Sequence, residues 1–297
     1  MPSLYREFTT QAQIDAQYNP SMGLADPAAP AQHYVQVAQQ ARDTLPCILD
    51  VPFGPTREET LDIFSAHKAA GDSGTLAPVF VFIHGGYWRA FSSKEFSGIA
   101  LGLQPLGITT VVINYALCPR VTIDEITRQT RAALAWTVRN IAQYGGDPGR
   151  IGIGGHSAGG HLTAMALQTD WAGDYGLPQD PFAAALLFSG LYDIAPLRYS
   201  YLQPMIQLDE GIVRRNSPAF MVRPCKTPAW ITWGGDESTE FARQSTIYHD
   251  AWTAAGNASE LRAIAGANHF TVIQGLERSD SELSQWLART LAAPGKA

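Results

Sequence analysis

Short apolar runs alternate with amphipathic segments along most of the chain. Residues 79–83 (Val-Phe-Val-Phe-Ile) and residues 109–114 are rich in β-branched and other apolar side chains, a pattern typical of strands buried on both faces. Residues 123–144 carry apolar side chains at helical spacing and end at Gly145-Gly146. They predict a long amphipathic helix with a glycine stop.

The same criteria predict further strands and helices. The strands are expected at residues 47–52, 60–64, 151–153, 183–188, 229–233 and 260–264. The helices are expected at residues 31–42, 158–169, 241–255 and 280–291. Strands that alternate with helices form a parallel sheet covered on both faces. We therefore predict an α/β fold with a mostly parallel central sheet.

We expect residues 1–297 to form a single domain, because no linker, repeat or low-complexity tract divides them. Residues 1–45 are polar and rich in Gln and Ala, and they form an N-terminal extension. Residues 190–225 interrupt the alternation and are rich in Tyr, Leu, Pro and Met. They form either a cap that faces the substrate or a long irregular loop that packs on the domain.

Composition narrows the class of protein. The 297 residues are 45% hydrophobic and 16% charged, which excludes a disordered chain. A net charge of −6 without a basic cluster argues against nucleic-acid and membrane-surface binding. We expect a cytoplasmic protein, because no secretory signal opens the chain and no apolar run approaches the ~18 residues of a membrane helix. Three dispersed cysteines without a C-x-x-C pair are expected to be reduced, buried thiols.

A G-x-S-x-G pentapeptide, Gly155-His156-Ser157-Ala158-Gly159, lies between a predicted strand and a predicted helix. A nucleophile elbow needs this context, because glycines let the serine occupy a tight, strained turn. The serine oxygen then lies beside the positive end of the following helix. Ser157 is therefore the candidate nucleophile.

The segment His84-Gly85-Gly86-Tyr87-Trp88 directly follows the strand at residues 79–83. A developing oxyanion needs backbone N–H donors that are already aimed at it, and glycines let the chain approach closely. We assign the N–H groups of Gly86, Tyr87 and Ala158 to an oxyanion hole. His84 is expected to hold the loop through hydrogen bonds and to take no part in catalysis.

The candidate acid follows the strand at residues 229–233, in Gly234-Gly235-Asp236-Glu237. The chain order of this type of triad is Ser, then acid, then His, and the acid orients the imidazole. The spacing from Gly234 favours Glu237. Asp236 and, less strongly, Asp193 remain alternatives.

His269 is the candidate general base. It follows the last predicted strand and lies 32 residues after Glu237. His249 is also downstream, but it falls within a predicted helix and suits a surface position. His156 and His161 are five residues apart and no H-E-x-x-H is present, so we expect no metal. We also expect no cofactor, because the histidine base of the triad activates the serine.

Aromatic residues flank these motifs and are candidates for an apolar or aromatic substrate pocket. We select Trp88, Tyr192 and Phe270 as substrate-binding residues. Tyr87, Tyr199 and Tyr201 lie near the same motifs. Each of these rings could equally be an ordinary part of the core.

Together these motifs resemble the α/β-hydrolases of the kynurenine formamidase (arylformamidase) group and their esterase relatives. The resemblance rests on the H-G-G-x-W and G-x-S-x-G segments, on residues 146–151, on residues 237–245 and on Asn268-His269-Phe270. These anchors span residues 84–270, about two thirds of the chain. The formamidases usually have Asp at the position of Glu237, and this difference weakens the assignment of one specific substrate.

The resemblance implies the α/β-hydrolase fold and a serine hydrolase without a cofactor. The leading hypothesis is a carboxylesterase for small carboxylic esters, and the alternative is an arylformamidase that hydrolyses N-formylkynurenine-like N-formyl arylamides. A catalytically silent binding protein and acyl transfer to an alcohol are further alternatives. The expected partner is a small-molecule substrate, with a homodimer left open.

Overall fold

The computed structural model describes residues 3–67 and 75–292. Its eight strands are β1 (Cys47–Pro52), β2 (Thr60–Phe64), β3 (Ala77–Ile83), β4 (Thr109–Ile113), β5 (Gly146–His156), β6 (Ala184–Phe188), β7 (Ala229–Gly234) and β8 (Ser259–Ile264). They form one sheet in the order β1-β2-β4-β3-β5-β6-β7-β8. β2 pairs antiparallel with β1 and β4, and all other neighbours are parallel. The predicted α/β fold with a mostly parallel sheet is confirmed.

Helices cover both faces of the sheet. They are α1 (Gln11–Tyr18), α2 (Ala29–Thr44), α3 (Ala100–Leu103), α4 (Ile123–Asn140), α5 (Ala158–Leu167), α6 (Trp171–Tyr175), α7 (Gln203–Ile206), α8 (Glu210–Arg215), α9 (Thr239–Ala254) and α10 (Glu282–Ala292). Helices α1, α4, α5 and α9 contribute to the core on one face, and α2, α3 and α10 to the core on the other. None of the helices in the described part of the chain is long and apolar enough to cross a membrane.

Strand β3 shows why a continuous apolar run forms a central strand. Val79, Val81 and Ile83 belong to the core under α4, α5 and α9, whereas Phe80 and Phe82 belong to the core under α10. All five side chains are fully buried. Successive side chains of a strand point to opposite faces of the sheet. A strand that packs against a hydrophobic core on each face therefore needs consecutive apolar residues.

The N-terminal extension is docked on the sheet domain by hydrogen bonds from tyrosines. Tyr18, in α1, donates from its buried hydroxyl to Glu240 Oε2 at 2.6 Å. Tyr34, in α2, donates to the carbonyl of Phe270 at 2.6 Å. Tyr18 and Tyr34 therefore lie close to the carboxyl ends of β7 and β8, at the edge of the sheet where parallel α/β sheets bind ligands.

Residues 190–225 connect β6 to β7 and contain the short helices α7 and α8. The pattern of the sequence predicts no helix there, and it does not predict α1. Each of these helices has eight residues or fewer, and short helices depend on tertiary contacts more than on their own propensity. In α1, only Ile14 and Tyr18 are buried, too few to produce a periodic pattern.

Candidate active site

Ser157 lies between the end of β5 and the start of α5 with φ 58° and ψ −116°. This backbone conformation is unfavourable for a residue with a side chain, and such strain clusters at functional sites. The elbow packs tightly on β3, since a Cβ atom at Gly155 would lie 2.8 Å from the carbonyl oxygen of Ile83. The G-x-S-x-G segment therefore has the strand–turn–helix geometry that the sequence predicts.

The carboxylate of Glu237 is in contact with His269. Glu237 Oε2 lies 2.7 Å from His269 Nδ1, and both side chains are almost completely buried. Glu237 Oε1 accepts hydrogen bonds from Ser189 Oγ at 2.5 Å and from the N–H of Gly234 at 2.6 Å. With Nδ1 occupied in this way, Nε2 is the ring nitrogen of His269 that does not contact Glu237.

The two alternative acids lie elsewhere. Asp236 is exposed, and its backbone N–H donates to the carbonyl of Ala267 at 2.9 Å. Asp193 is buried and accepts hydrogen bonds from the hydroxyl of Tyr5 and, at 3.1 Å, from the N–H of Ala195. Of the three carboxylates considered from the sequence, the one in contact with His269 is that of Glu237.

The loop after β3 has an unusual backbone. Gly86, Tyr87 and Trp88 have φ values of 107°, 49° and 56°. The carbonyl of Gly86 accepts the N–H groups of Arg89 and Ala90, both at 3.0 Å. In the first turn of α5, the N–H of Ala158 has no intrahelical carbonyl to bind. This loop and the start of α5 supply the three N–H groups considered for the oxyanion hole.

Two buried histidines support this loop and His269. His156 Nε2 lies 2.7 Å from the carbonyl oxygen of His269, and the two rings are 4.6 Å apart. Burial lowers the pKa of His156 well below its usual value, so its ring is neutral and Nε2 donates to that carbonyl. His84 stacks on Tyr115 at 4.0 Å, and burial lowers the pKa of His84 to about 4.

Ser157 and His269 open into one cavity of about 300 Å³. Its wall combines the N-terminal extension, the loop after β3, the elbow, the insertion between β6 and β7, and the loop after β8. The lining residues are Asn19, Pro20, Ser21, Pro27, Ala31, Tyr34, Gly86, Tyr87, Arg89, Ala90, Phe91, His156, Ser157, Tyr201, His269 and Phe270. The cavity is large enough for a small substrate.

The three predicted substrate-binding residues have different positions. Phe270 lines the cavity. Trp88 is fully buried, with its ring edge-on to that of His161 at 4.9 Å, and it does not line the cavity. Tyr192 is also fully buried, stacks on Tyr248 at 4.4 Å and is likewise not on the wall. Trp88 belongs to the H-G-G-x-W segment and Tyr192 follows β6, but both rings are buried in the core.

Sequence reasoning missed several residues of the site. Arg89 and Phe91 line the cavity and come shortly after the H-G-G-x-W segment. Their nearness to that segment is the sequence signal that could have identified them. Ser189 donates a hydrogen bond to Glu237 and directly follows β6, with φ 48°. Its position at the end of a strand is the sequence signal that could have identified it. Tyr34 carries no local signal, because its contact with Phe270 joins residues 236 positions apart.

Comparison with known proteins gives two matching family models. The BD-FAE model matches residues 61–175, and the model of the prolyl oligopeptidase family matches residues 128–293, which is more than half of the chain. Kynurenine formamidase from Danio rerio is 26% identical over 292 residues, which cover 94% of this chain and 96% of that protein. Esterase LipQ from Mycobacterium tuberculosis is 31% identical over 238 residues, which cover 74% of this chain and 56% of LipQ.

A solved structure from a Silicibacter species, provisionally named a thioesterase, has a TM-score of 0.78 and 27% identity to this chain. The match covers 95% of this chain and 99% of that one. The resemblance carried by the sequence motifs is thus confirmed at the level of family and fold. The chain belongs to the prolyl oligopeptidase family, and it is a hydrolase with the α/β-hydrolase fold in the group of kynurenine formamidases and esterases.

Proposed function

We propose that the chain is a serine carboxylesterase that cleaves small carboxylic esters, with Ser157 as nucleophile, His269 as general base and Glu237 as the acid that orients it. The observation that supports this most directly is the 2.7 Å contact between Glu237 Oε2 and His269 Nδ1 beside the strained Ser157. A carboxylate, an imidazole and a serine in this arrangement are the parts of an acyl-transfer site.

In this mechanism, His269 Nε2 removes the proton of Ser157 as Oγ attacks the carbonyl carbon of the substrate. The negative charge on the tetrahedral oxygen is stabilised by the N–H groups of Ala158, Gly86 and Tyr87. His269 then gives its proton to the leaving alkoxide, and the acyl group stays on Ser157. Water, deprotonated by His269, releases the carboxylic acid and restores the serine hydroxyl.

The cavity suggests how a substrate is enclosed. Its wall includes Tyr34 from the N-terminal extension and Tyr201 from the insertion at residues 190–225. We assign these two segments to a substrate cap on a single catalytic domain. Cavity volume and aromatic surface together favour small substrates with an aryl or short acyl group.

An arylformamidase is the second candidate. The match to kynurenine formamidase extends over 96% of that protein, whereas the match to LipQ extends over 56% of the latter. The same catalytic steps would transfer a formyl group from an aryl nitrogen to Ser157, and water would release formate. Protonation of the leaving aryl nitrogen by His269 replaces protonation of the alkoxide.

Rates on N-formylkynurenine and p-nitrophenyl acetate, measured side by side, test both candidates. We expect the Ser157→Ala protein to lose at least 10³-fold in kcat on whichever substrate is cleaved, since the nucleophile and its base act as a unit. A much higher kcat/KM for N-formylkynurenine favours the arylformamidase, and cleavage of the ester alone favours the esterase. Full ester hydrolysis by Ser157→Ala would contradict the mechanism.

A fluorophosphonate probe separates the remaining alternatives. Labelling of the wild-type protein, but not of Ser157→Ala, is expected for a serine hydrolase. A protein that binds ligands without catalysis would leave the probe unreacted. Acyl transfer to an added alcohol would appear as a second product in the esterase assay, because both reactions share the acyl-enzyme.

A further inference from the structure

The C-terminal end of α1 is bonded to the loop after β3. Tyr18 is the last residue of α1 and is fully buried. The last carbonyls of a helix have no partner within it, and the carbonyl of Tyr18 accepts a hydrogen bond from the hydroxyl of Tyr87 at 2.5 Å. Burial raises the pKa of Tyr87 well above its usual value, so this hydroxyl keeps its proton and remains a donor. The N-terminal extension thus contacts a loop that we propose as part of the oxyanion hole.

This loop has a backbone conformation that needs support. The φ values of 49° at Tyr87 and 56° at Trp88 lie in the left-handed region, which is unfavourable for bulky side chains. Such conformations persist only where the surrounding structure fixes them. The carbonyl of Trp88 accepts the N–H of Cys118 at 2.8 Å. The side chain of Tyr87 is fixed by its buried hydrogen bond to Tyr18.

The end of α1 is itself fixed by residues that follow the candidate acid. Tyr18 donates from its hydroxyl to Glu240 Oε2 at 2.6 Å, and the same hydroxyl accepts a hydrogen bond from Gln244 Nε2 at 2.9 Å. Ser238, the residue directly after the candidate acid, donates to the carbonyl of Gln17 at 2.6 Å. The last turn of α1 therefore bonds both to the loop after β3 and to the start of α9.

We propose that the end of α1 positions the oxyanion hole: the hydroxyl of Tyr87, bound to the carbonyl of Tyr18, keeps the N–H of Tyr87 aimed at the substrate oxygen. Tyr18 does not line the cavity, so it acts through Tyr87 as a positioning residue. An oxyanion-hole donor stabilises the transition state only when it is already aimed at the developing charge, so a displaced loop lowers kcat more than it changes KM. This inference rests on the proposed function, which supplies the oxyanion.

The test compares two ketones of nearly equal shape, 2,2,2-trifluoroacetophenone and acetophenone, as inhibitors of ester hydrolysis. Ser157 Oγ adds to the carbonyl carbon of the trifluoro ketone, His269 takes the serine proton, and the ketone oxygen becomes an anion in the oxyanion hole. Acetophenone binds without this addition. The ratio of the two inhibition constants therefore measures stabilisation of the oxyanion, and effects on the rest of the cavity cancel.

Tyr87→Phe removes the hydroxyl and keeps the backbone N–H. We expect the preference for the trifluoro ketone and the kcat for p-nitrophenyl acetate to fall in parallel, each about 10- to 30-fold, with KM changed less than about threefold. The loss is smaller than for removal of a whole donor, because the N–H is still present but is less well aimed. Circular dichroism of the variant checks that it is folded.

Tyr18→Phe tests the same connection from the side of α1. It keeps the ring and the carbonyl of Tyr18 and loses the bonds to Glu240 and Gln244. We expect the preference to fall about 3- to 10-fold, and to fall no further in the Tyr87→Phe/Tyr18→Phe double variant than in Tyr87→Phe, because residues that act through one contact are not additive. If Tyr87→Phe does not fold, an unchanged preference in Tyr18→Phe overturns the inference.

Tyr5→Phe is the matched control. The hydroxyl of Tyr5 donates to Asp193, so this variant also removes one tyrosine hydroxyl that docks the N-terminal extension, but away from the loop after β3. We expect the preference and kcat to stay within about twofold of wild type, because no bond to that loop is lost. An unchanged preference in folded Tyr87→Phe, or an equal fall in Tyr5→Phe, would overturn the inference.

Failure of the proposed function has a different signature. Fluorine NMR would then show that the trifluoro ketone binds Ser157→Ala as tightly as wild type, and the inference would fail together with the function. If wild type binds the trifluoro ketone more tightly than Ser157→Ala does, the function stands. The response of Tyr87→Phe and Tyr18→Phe then decides the inference by itself.

Discussion

Glu237 and Asp236 are adjacent carboxylates with opposite surroundings. The Glu237 side chain is almost completely buried and touches His269, Ser189 and the backbone of Gly234, whereas Asp236 is exposed. The difference arises from the turn after β7, where the N–H of Glu237 bonds to the carbonyl of Gly234 at 3.0 Å. At the scale of the residue, the direction of the backbone therefore decides which of the two carboxylates contacts His269, and chemical type alone does not.

Replacement of this acid tests the assignment. In Glu237→Gln, the amide N–H₂ group faces Nδ1 of His269 and favours the tautomer with the proton on Nε2, which cannot accept the proton of Ser157. We expect kcat to fall about 10³- to 10⁴-fold, by analogy with the acid of other serine triads. Steady-state kinetics and circular dichroism together separate this effect from unfolding. The adjacent Asp236→Asn should keep kcat within about twofold, and an equal loss in both variants would argue against Glu237.

The nucleophile elbow illustrates how an element positions a residue. A Cβ atom at Gly159, in the first turn of α5, would lie 2.7 Å from the carbonyl oxygen of His84. Backbone atoms cannot move aside as the end of a flexible side chain can. The glycine thus permits α5 to pack directly against the end of β3, and this packing brings the N–H of Ala158 near the loop that contains Gly86.

Gly159→Ala is expected to separate α5 from β3. Overpacking of this kind costs about 1–3 kcal/mol in the free energy of unfolding, and the displaced Ser157 should lower kcat as well. Urea unfolding and esterase kinetics measure the two effects. Gly149→Ala is the control, because Gly149 is exposed near the start of β5 and the added Cβ would meet only the side chain of Asp147, 3.3 Å from its Oδ1. Equal stability of the two variants would show that the close approach at Gly159 is not restrictive.

Elements buried on both faces were predictable from the sequence, since their apolar patterns are local. The strands at 79–83 and 109–114 are examples, and the candidate residues Ser157, Glu237 and His269 could be selected because they follow strands. The cavity wall was not predictable in the same way. Residues 19–34 reach it through contacts such as Tyr34 with Phe270, and no local pattern records a contact over 236 positions.

Buried histidines make the whole molecule sensitive to acid. Burial lowers the pKa of both His84 and His161 to about 4, and that of His156 falls well below its usual value. An unfolded histidine has a pKa near 6.5, so the unfolded chain binds protons first as the pH falls. The stabilisation is complete above about pH 6.5 and is lost progressively down to about pH 4.

We expect the free energy of unfolding to fall by about 2 kcal/mol for each of His84 and His161 between pH 7 and pH 5. Urea unfolding at pH 7, 6 and 5 measures this dependence. His161→Gln should reduce the proton uptake on unfolding by about one. His249→Gln, a half-buried position on α9, serves as the control. A stability that is constant or rises over this pH range would contradict the prediction.

The docking of the N-terminal extension has a consequence for synthesis. The cavity wall combines side chains from residues 19–34 with His269 and Phe270. The wall is therefore complete only when both of these distant parts of the chain have been synthesised and folded together. A ribosome that has translated the nucleophile elbow has not yet translated Glu237 or His269. Nascent chains therefore pass through most of their translation without the complete proposed site, and we expect hydrolysis to begin only after Glu237, His269 and Phe270 have left the exit tunnel.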